Sequence, residues 1–282
     1  MMSQTDGLEE KVGRLRGILE DMSPGVLVAF SGGADSALLA YEGAAAMGDS
    51  CVAVTADTPT LPRAELQAAV DFARTHGIRH EIVATREMRN PRFVANDAYR
   101  CFYCKQSLFE TMMRLAEEKG LPWVLYGAIA DDVGDWRPGM KAAKEAGARA
   151  PLLEAGFRKD DVRQRSRDLA LGTWDKPASA CLSSRFPAGR PITLQDLSKV
   201  EKAETVLHEL GFRQCRVRLM DDAARIEVED CDLSRIVEQG VRDEICGALR
   251  RLGFRFVTLD LDGFRSGSLN PLNTEKRHGI RR

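Results

Sequence analysis

The stretch VLVAFSGGADS, residues 26–36, constrains this chain more than any other. An apolar, largely β-branched run ends in Ser31-Gly32-Gly33, and Asp35-Ser36 lead directly into Ala37-Leu38-Leu39-Ala40. Strand, tight turn and helix thus follow one another with no spacer. Glycines let backbone N–H groups approach a polyanion closely, and a helix N-terminus adds a favourable dipole. Ser31, Gly32, Gly33, Asp35 and Ser36 form a turn suited to phosphate. The turn lacks the Gly-Lys-Ser/Thr ending of a Walker loop and does not fit GxGxxG, so it is neither of those.

Around this turn the pattern alternates. A helix over 8–21 precedes strand 26–30, helix 35–47, strand 51–56, helix 62–76 and strand 79–84. After a long loop come helix 104–119 and strand 122–127. Such alternation predicts an α/β fold, a doubly wound parallel sheet with helices on both faces. Ligands of such sheets bind beyond the carboxyl ends of the strands, where Ser31-Gly32-Gly33, Asp57 and Gly127 fall. Helical segments near 138–147 and 158–170 follow, then a loop rich in Pro, Ala, Ser and Gly over 176–193. Helix 194–210, strands 214–219 and 223–229, helices 232–239 and 241–252 and strand 255–261 predict a smaller α+β unit. The expected organisation is a first domain over 1–175, a linker or functional loop over 176–193, a second domain over 194–270 and a frayed tail over 271–282.

Charge excludes some classes of function. Lys and Arg number 41 against 42 Asp and Glu, so there is no global pull toward nucleic acid. No apolar run approaches a membrane span, and the charged start has no apolar signal core. A cytoplasmic protein is expected. The chain has seven cysteines, and in a reducing compartment free thiols are the default. Cys51 and Cys246 read as packing, and Cys215 and Cys231 as ordinary edge residues. Cys181 differs: small residues surround it, and Lys176 and Arg185 flank it. Nearby cations favour the thiolate and small neighbours leave it accessible, so it reads as a reactive thiol.

The SGGxDS form resembles the PP-loop of ATP pyrophosphatases, which cleave ATP to AMP and pyrophosphate and adenylate their substrates. Beyond it, SGGADS (31–36), RCFYCK (100–105), DDVGDWRPG (131–139), PLLEAGFRKDDVR (151–163), WDKPASACLSSRFPAG (174–189) and LDLDGFRSGS (259–268) resemble the LarE family of ATP-dependent sacrificial sulfur transferases along nearly the whole chain. The resemblance implies ATP and Mg²⁺ as requirements. It implies a small-molecule substrate, pyridinium-3,5-biscarboxylic acid mononucleotide, and a homo-oligomer with a hexamer as the candidate state. The family adenylates a ring carboxylate, forms a thioester with a cysteine and cleaves the C–S bond. That leaves a thiocarboxylate on the substrate and dehydroalanine on the enzyme. The product serves the nickel-pincer nucleotide of lactate racemase. Cys181 occupies the sacrificial position. One thiol in ACLSSR favours this version over the three-cysteine cluster of some members.

Several residues are then candidates. Lys105, placed at the start of helix 104–119, opposes the helix dipole and so suggests a bound anion; a solvated lysine is the alternative. Arg216 and Arg218 share one strand face and could grip the substrate phosphate with Arg265 and Arg185, or only solvate the surface. Asp35 and Asp131-Asp132 are candidate Mg²⁺ ligands, the aspartate pair alternatively orienting the ATP end of the site; Glu204 and Glu227 are each a candidate metal ligand or base. Cys101 and Cys104 form a CxxC pair with no completing ligand pair: a local feature before a helix, or a zinc, redox or cluster site. His76, His80, His208 and His278 all lie far from Cys181 in sequence, so no base for the cleavage is named. The chain departs from the family at Gly127-Ala128-Ile129, where Gly-Thr-Asn is expected. Another PP-loop ligase, a tRNA thiolase, or a nucleotide-sensing module without catalysis are the competing readings.

Overall fold

The computed structural model describes residues 7–133, 138–177, 180–265 and 267–269. The expected tail over 271–282 lies outside them. The chain divides into two compact units, Met1–Phe93 with Tyr99–Ser179, and Val94–Ala98 with Ala180–Arg282.

The first unit opens with α1 (Leu8–Glu20), β1 (Val26–Ala29), α2 (Ala34–Met47), β2 (Cys51–Asp57), α3 (Arg63–Thr75) and β3 (Arg79–Ala84). The short helix α4 (Pro91–Val94) ends at the unit boundary; α5 (Arg100–Lys119), β4 (Trp123–Tyr126), α6 (Pro138–Glu145), α7 (Pro151–Glu154) and α8 (Lys159–Asp168) complete the unit. Its four strands are all parallel, in the order β3-β2-β1-β4. Alternate side chains of a strand point to opposite faces, and each face here has its own apolar core. Val26 and Val28 join Leu15, Leu19 and Leu38 on one side. Leu27, Val52 and Val124 join Leu108, Phe109 and Met112 of α5 on the other. A strand buried on both faces must be apolar throughout, which explains the unbroken runs at 26–30 and 51–54.

Two ion pairs join α8 to α2, one partly exposed and one buried. Asp35 at the start of α2 pairs with Lys159 at the start of α8, at 2.8 Å. One further stretch along, buried Glu42 pairs with Arg165 at 2.7 Å. Six and seven residues of helix cover about 10 Å, so the two helices run side by side in the same direction.

The second unit holds α9 (Leu194–Glu209), β5 (Cys215–Met220), β6 (Ala223–Val228), α10 (Leu233–Ile236), α11 (Gln239–Arg251) and β7 (Phe256–Leu259). The β5–β6 pair is antiparallel and β6–β7 parallel, in the order β5-β6-β7. Thr193 caps α9 by accepting a hydrogen bond from the Asp196 N–H at 3.0 Å. Leu197, Val200, Ala203 and Leu207 form the buried face of α9.

Two expectations need correction. Of the two readings of 176–193, the linker is disfavoured, because Leu182, Ser183, Arg185, Phe186 and Ile192 are all buried, and the functional loop stays open. The first unit, moreover, is not continuous, because Val94–Ala98 belongs to the second. There the Gly189 N–H donates to the Asn96 carbonyl at 2.9 Å and the Ile192 N–H to that of Val94 at 2.9 Å. Asn96 has a left-handed backbone (φ 56) and its amide donates to the Pro187 carbonyl at 2.8 Å. Asparagine tolerates that conformation better than a branched residue would.

Candidate active site

In the first unit the expected turn forms at the carboxyl end of β1. The Ser36 hydroxyl donates to the Gly33 carbonyl at 3.1 Å, and accepts from the Ser31 N–H at 3.2 Å. Ser31 and Ser36 hydroxyls lie 3.1 Å apart. The serines therefore tie the turn to the helix it opens. Gly32 has φ +72, open to glycine at little cost. Gly127 has a packing reason: a Cβ there would stand 2.9 Å from the Ser36 nitrogen. Its hydrogen atom lets the end of β4 touch the opening of α2. Ala128 and Ile129 behind it are buried, so apolar core fills the place where the family pattern has hydrogen-bonding side chains. Asp57 closes β2 and pairs with Arg63 at 2.5 Å.

Lys159 joins the candidate site residues, and the sequence alone does not reveal it. Its ammonium donates to both oxygens of Asp35, at 2.8 and 3.0 Å, and its backbone N–H donates to Asp131 at 2.9 Å. One residue thus brings Asp35 and Asp131 together. Both members of the ion pair are partly exposed, so the pair faces solvent at the turn. The one signal is the position of Lys159 directly after Arg158, opening a helix within PLLEAGFRKDDVR; nothing local links it to Asp35.

Lys105 departs from its expected placement. Helix α5 begins at Arg100, so Lys105 lies beyond the first turn, where the dipole is largely spent, and it is exposed. Cys101 and Cys104 sit on the same stretch, exposed and half-buried respectively. Lys176 is also placed differently from expectation: its ammonium pairs with Glu65 at 2.6 Å and donates to the Gly32 carbonyl at 3.0 Å.

In the second unit Cys181 stands just before the short 3-10 turn Leu182–Arg185. Its sulfur is 3.0 Å from the Ser183 hydroxyl. Arg185 holds this backbone from below, its Nη1 donating to the carbonyls of Ala180 at 2.7 Å and Cys181 at 3.1 Å and to the Ser184 hydroxyl at 2.9 Å. The other edge of the guanidinium meets Glu204. Burial alone would lower the Arg185 pKa, but the hydrogen bond and charge of Glu204, then the charges of Cys181 and Cys215, raise it. The Arg185 charge is thus permanent, and it is held against the Cys181 backbone.

Glu204, expected as a metal ligand or base, is turned to protein groups instead. Its Oε1 accepts from Arg185 and from the Val217 N–H at 2.9 Å, and its Oε2 from Arg185 at 2.8 Å. Glu227 is likewise engaged, wholly buried and bonded to Arg218 at 2.7 Å and to the Ser268 hydroxyl at 2.9 Å. Glu227 thus accepts four hydrogen bonds, counting one from Arg225 at 3.3 Å, which fills its acceptor sites, while Glu204 accepts three.

Arg216 and Arg218 are buried, which removes the solvated-face reading. Arg218 donates to Glu227 and to the Ser184 carbonyl at 2.9 Å, joining β5 to the cysteine turn. Arg216 donates to the Cys215 carbonyl at 2.6 Å and stacks 5.0 Å over the Phe264 ring. Burial, then the repulsion of Arg185 and Arg218, pull its pKa down to about 10, so it remains charged at neutral pH. Arg265 is held by Asp262 at 2.5 Å and Asp260 at 3.5 Å. Cys181, Arg185, Glu204 and Arg218 are therefore joined through the cysteine turn, with Arg216 next along β5 within electrostatic reach.

A parallel α/β sheet whose first strand passes through a serine–glycine turn into a helix, with an aspartate in that helix's first turn, defines the class of PP-loop proteins. No protein-family model matches the chain. An uncharacterized protein of Synechocystis sp. is 43% identical over 95% of this chain and 100% of its own. The pyridinium-3,5-bisthiocarboxylic acid mononucleotide synthase of Lactiplantibacillus plantarum is 37% identical over 95% of this chain and 96% of its own. A glutamine-hydrolyzing GMP synthase chain of Thermoplasma volcanium is 26% identical over 54% of this chain and 53% of its own. The chain belongs to the LarE family of sulfur transferases. No helix among the described residues is long and apolar enough to cross a membrane.

Proposed function

We propose that this protein inserts sulfur into pyridinium-3,5-biscarboxylic acid mononucleotide at the expense of ATP, with Cys181 as the sulfur source. The observation that carries this reading is the placement of Cys181: a partly exposed thiol on a turn clamped by one buried guanidinium. The relative from Lactiplantibacillus plantarum supplies the substrate class.

A carboxylate is a poor electrophile. Its oxygen attacks the α-phosphorus of ATP, a P–O bond forms and pyrophosphate leaves, which makes AMP the next leaving group. The N–H groups at the opening of α2 receive the phosphates. The Cys181 thiolate then attacks the acyl carbon; a C–S bond forms and AMP departs. Loss of the Cys181 α-proton sends an electron pair into a Cα=Cβ bond. The Cβ–S bond breaks, leaving dehydroalanine at 181 and a thiocarboxylate on the product.

Asp35 suits Mg²⁺, because its carboxylate is partly exposed and held by a single flexible ammonium. Bound there, the ion would neutralise charge on the phosphates. Arg216 and Arg218 are the proposed holders of the substrate phosphate, with Arg265 at the edge.

The test is intact-protein mass with product counting. One turnover per subunit, release of AMP and pyrophosphate, and loss of one H₂S mapped to position 181 are expected. Repeated turnover with Cys181 intact would overturn the assignment of the sulfur source. Release of ADP and phosphate would overturn the PP-loop chemistry.

A further inference from the structure

The Gly32–Gly33 peptide has two glycines around it and so two accessible orientations. A trans peptide is planar, and its C=O and N–H point in opposite directions. Flipping the plane between two glycines meets no Cβ, so the sequence Ser-Gly-Gly does not by itself choose an orientation. The choice matters because Gly33 is the N-cap of α2. Its N–H, when aimed outward with the others at the opening of the helix, adds a donor for an anion; when reversed, it presents a carbonyl oxygen that repels one.

The structure shows what makes the choice. The Lys176 ammonium donates to the Gly32 carbonyl at 3.0 Å, and Glu65 of α3 holds the same ammonium at 2.6 Å. Behind the turn, a Cβ on Gly32 would lie 3.3 Å from the Ala69 Cβ, so α3 also backs the turn sterically. The carbonyl is drawn toward Lys176, and the Gly33 N–H on the opposite edge of the plane points away from it. Both members of the Lys176–Glu65 pair are largely shielded, with side chains 21% exposed. Glu65 neutralises the lysine, so the pair acts on the peptide rather than as a loose cation for phosphate.

We propose that Lys176 is a positioning residue for the nucleotide turn: it fixes the Gly32–Gly33 peptide with the Gly33 N–H turned toward phosphate. This rests on the ATP reading above. Inorganic pyrophosphate with Mg²⁺, titrated calorimetrically into the full-length protein, is the probe, with adenosine as control. Lys176→Met should weaken pyrophosphate roughly tenfold while adenosine binding holds. Lys176→Arg, which can still reach both partners, should restore most of the loss. Glu65→Gln keeps the lysine on the carbonyl and should leave pyrophosphate binding within about twofold. In ¹⁵N-labelled protein the Gly33 amide should shift on adding pyrophosphate to the unsubstituted chain and not to Lys176→Met. Equal pyrophosphate affinity in Lys176→Met would overturn the proposal. A large gain in Glu65→Gln would do so too, since it would make Lys176 a direct phosphate cation. An unsubstituted protein that binds no pyrophosphate would instead overturn the ATP reading on which it stands.

Discussion

Arg185 and Glu204 face each other through two parallel hydrogen bonds, Nε to Oε1 and Nη2 to Oε2, each 2.8 Å, with side chains only 2% and 7% exposed. The far edge of the same guanidinium carries the Cys181 backbone. A surface ion pair is worth little, but breaking a buried one leaves a charge with no partner. Glu204→Gln should therefore cost about 3–5 kcal/mol of stability in urea unfolding. Arg185→Lys should not rescue the fold, because an ammonium cannot bond both Glu204 and two carbonyls in one plane. If Glu204→Gln unfolds with the midpoint of the unsubstituted protein, the pair is not what holds the turn.

The Asp35–Lys159 contact leads to a different expectation. Its members are partly exposed, so their removal should barely move stability. Activity should respond strongly. Lys159→Ala should lower ATP–pyrophosphate exchange by about tenfold to a hundredfold, the worth of one charge-assisted hydrogen bond. Asp35→Asn should lose Mg²⁺ dependence along with exchange. Normal exchange in Lys159→Ala would reduce the lysine to a structural partner.

Substituting Cys181 should separate activation from transfer. Cys181→Ala should still release pyrophosphate and form the adenylate, because activation precedes attack, but no thiocarboxylate should follow. Cys181→Ser could give an ester and still deliver no sulfur. Mass spectrometry of the nucleotide product reads both; any thiolated product from Cys181→Ala would locate the sulfur elsewhere.

His80 gives the stability an acid-side dependence. Its Nε2 lies 2.8 Å from the Thr55 hydroxyl, which itself donates to the Phe30 carbonyl at 2.8 Å, just before the nucleotide turn. Burial lowers the His80 pKa below its ordinary 6.5. As pH falls through that value, the unfolded chain takes up a proton before the folded one does. Stability from this group is thus present above pH 6.5 and lost below it. Melting temperature should fall between about pH 7 and 5, and less so in His80→Gln, which keeps a donor to Thr55. An unchanged slope in that variant would assign the effect to other groups.

Local signals in the sequence lead to the right elements and miss the partnerships between them. The turn at Ser31–Ser36 and the apolar strands are legible because glycine chemistry and burial act on neighbours along the chain. The candidate role of Cys181 comes from the motif around it, while the arginine that carries its backbone is visible only in the fold. The side-chain contacts of Lys159 and Lys176 are not legible, since the partners of both ammonium groups lie more than a hundred residues away. Glu204 looks like a ligand because a lone carboxylate on a helix carries no mark of the arginine that will pair with it. Arg216 and Arg218 do share one strand face, but alternation does not tell that both faces of the strand are buried. Lys105 reads as a first-turn residue only if the helix begins at Cys104; the true start at Arg100 removes the dipole argument.

The assignment of Val94–Ala98 to the second unit limits how the chain can be divided. The polypeptide crosses the boundary at three points, so no single cut yields both units whole. A fragment beginning at Ala180 would lack the strand-like partner that Asn96 and Val94 supply to Gly189 and Ile192. A fragment ending at Ser179 would carry that segment with nothing to bind it. Domain-swap chimaeras between members of this family need to exchange residues 94–98 together with everything after 179.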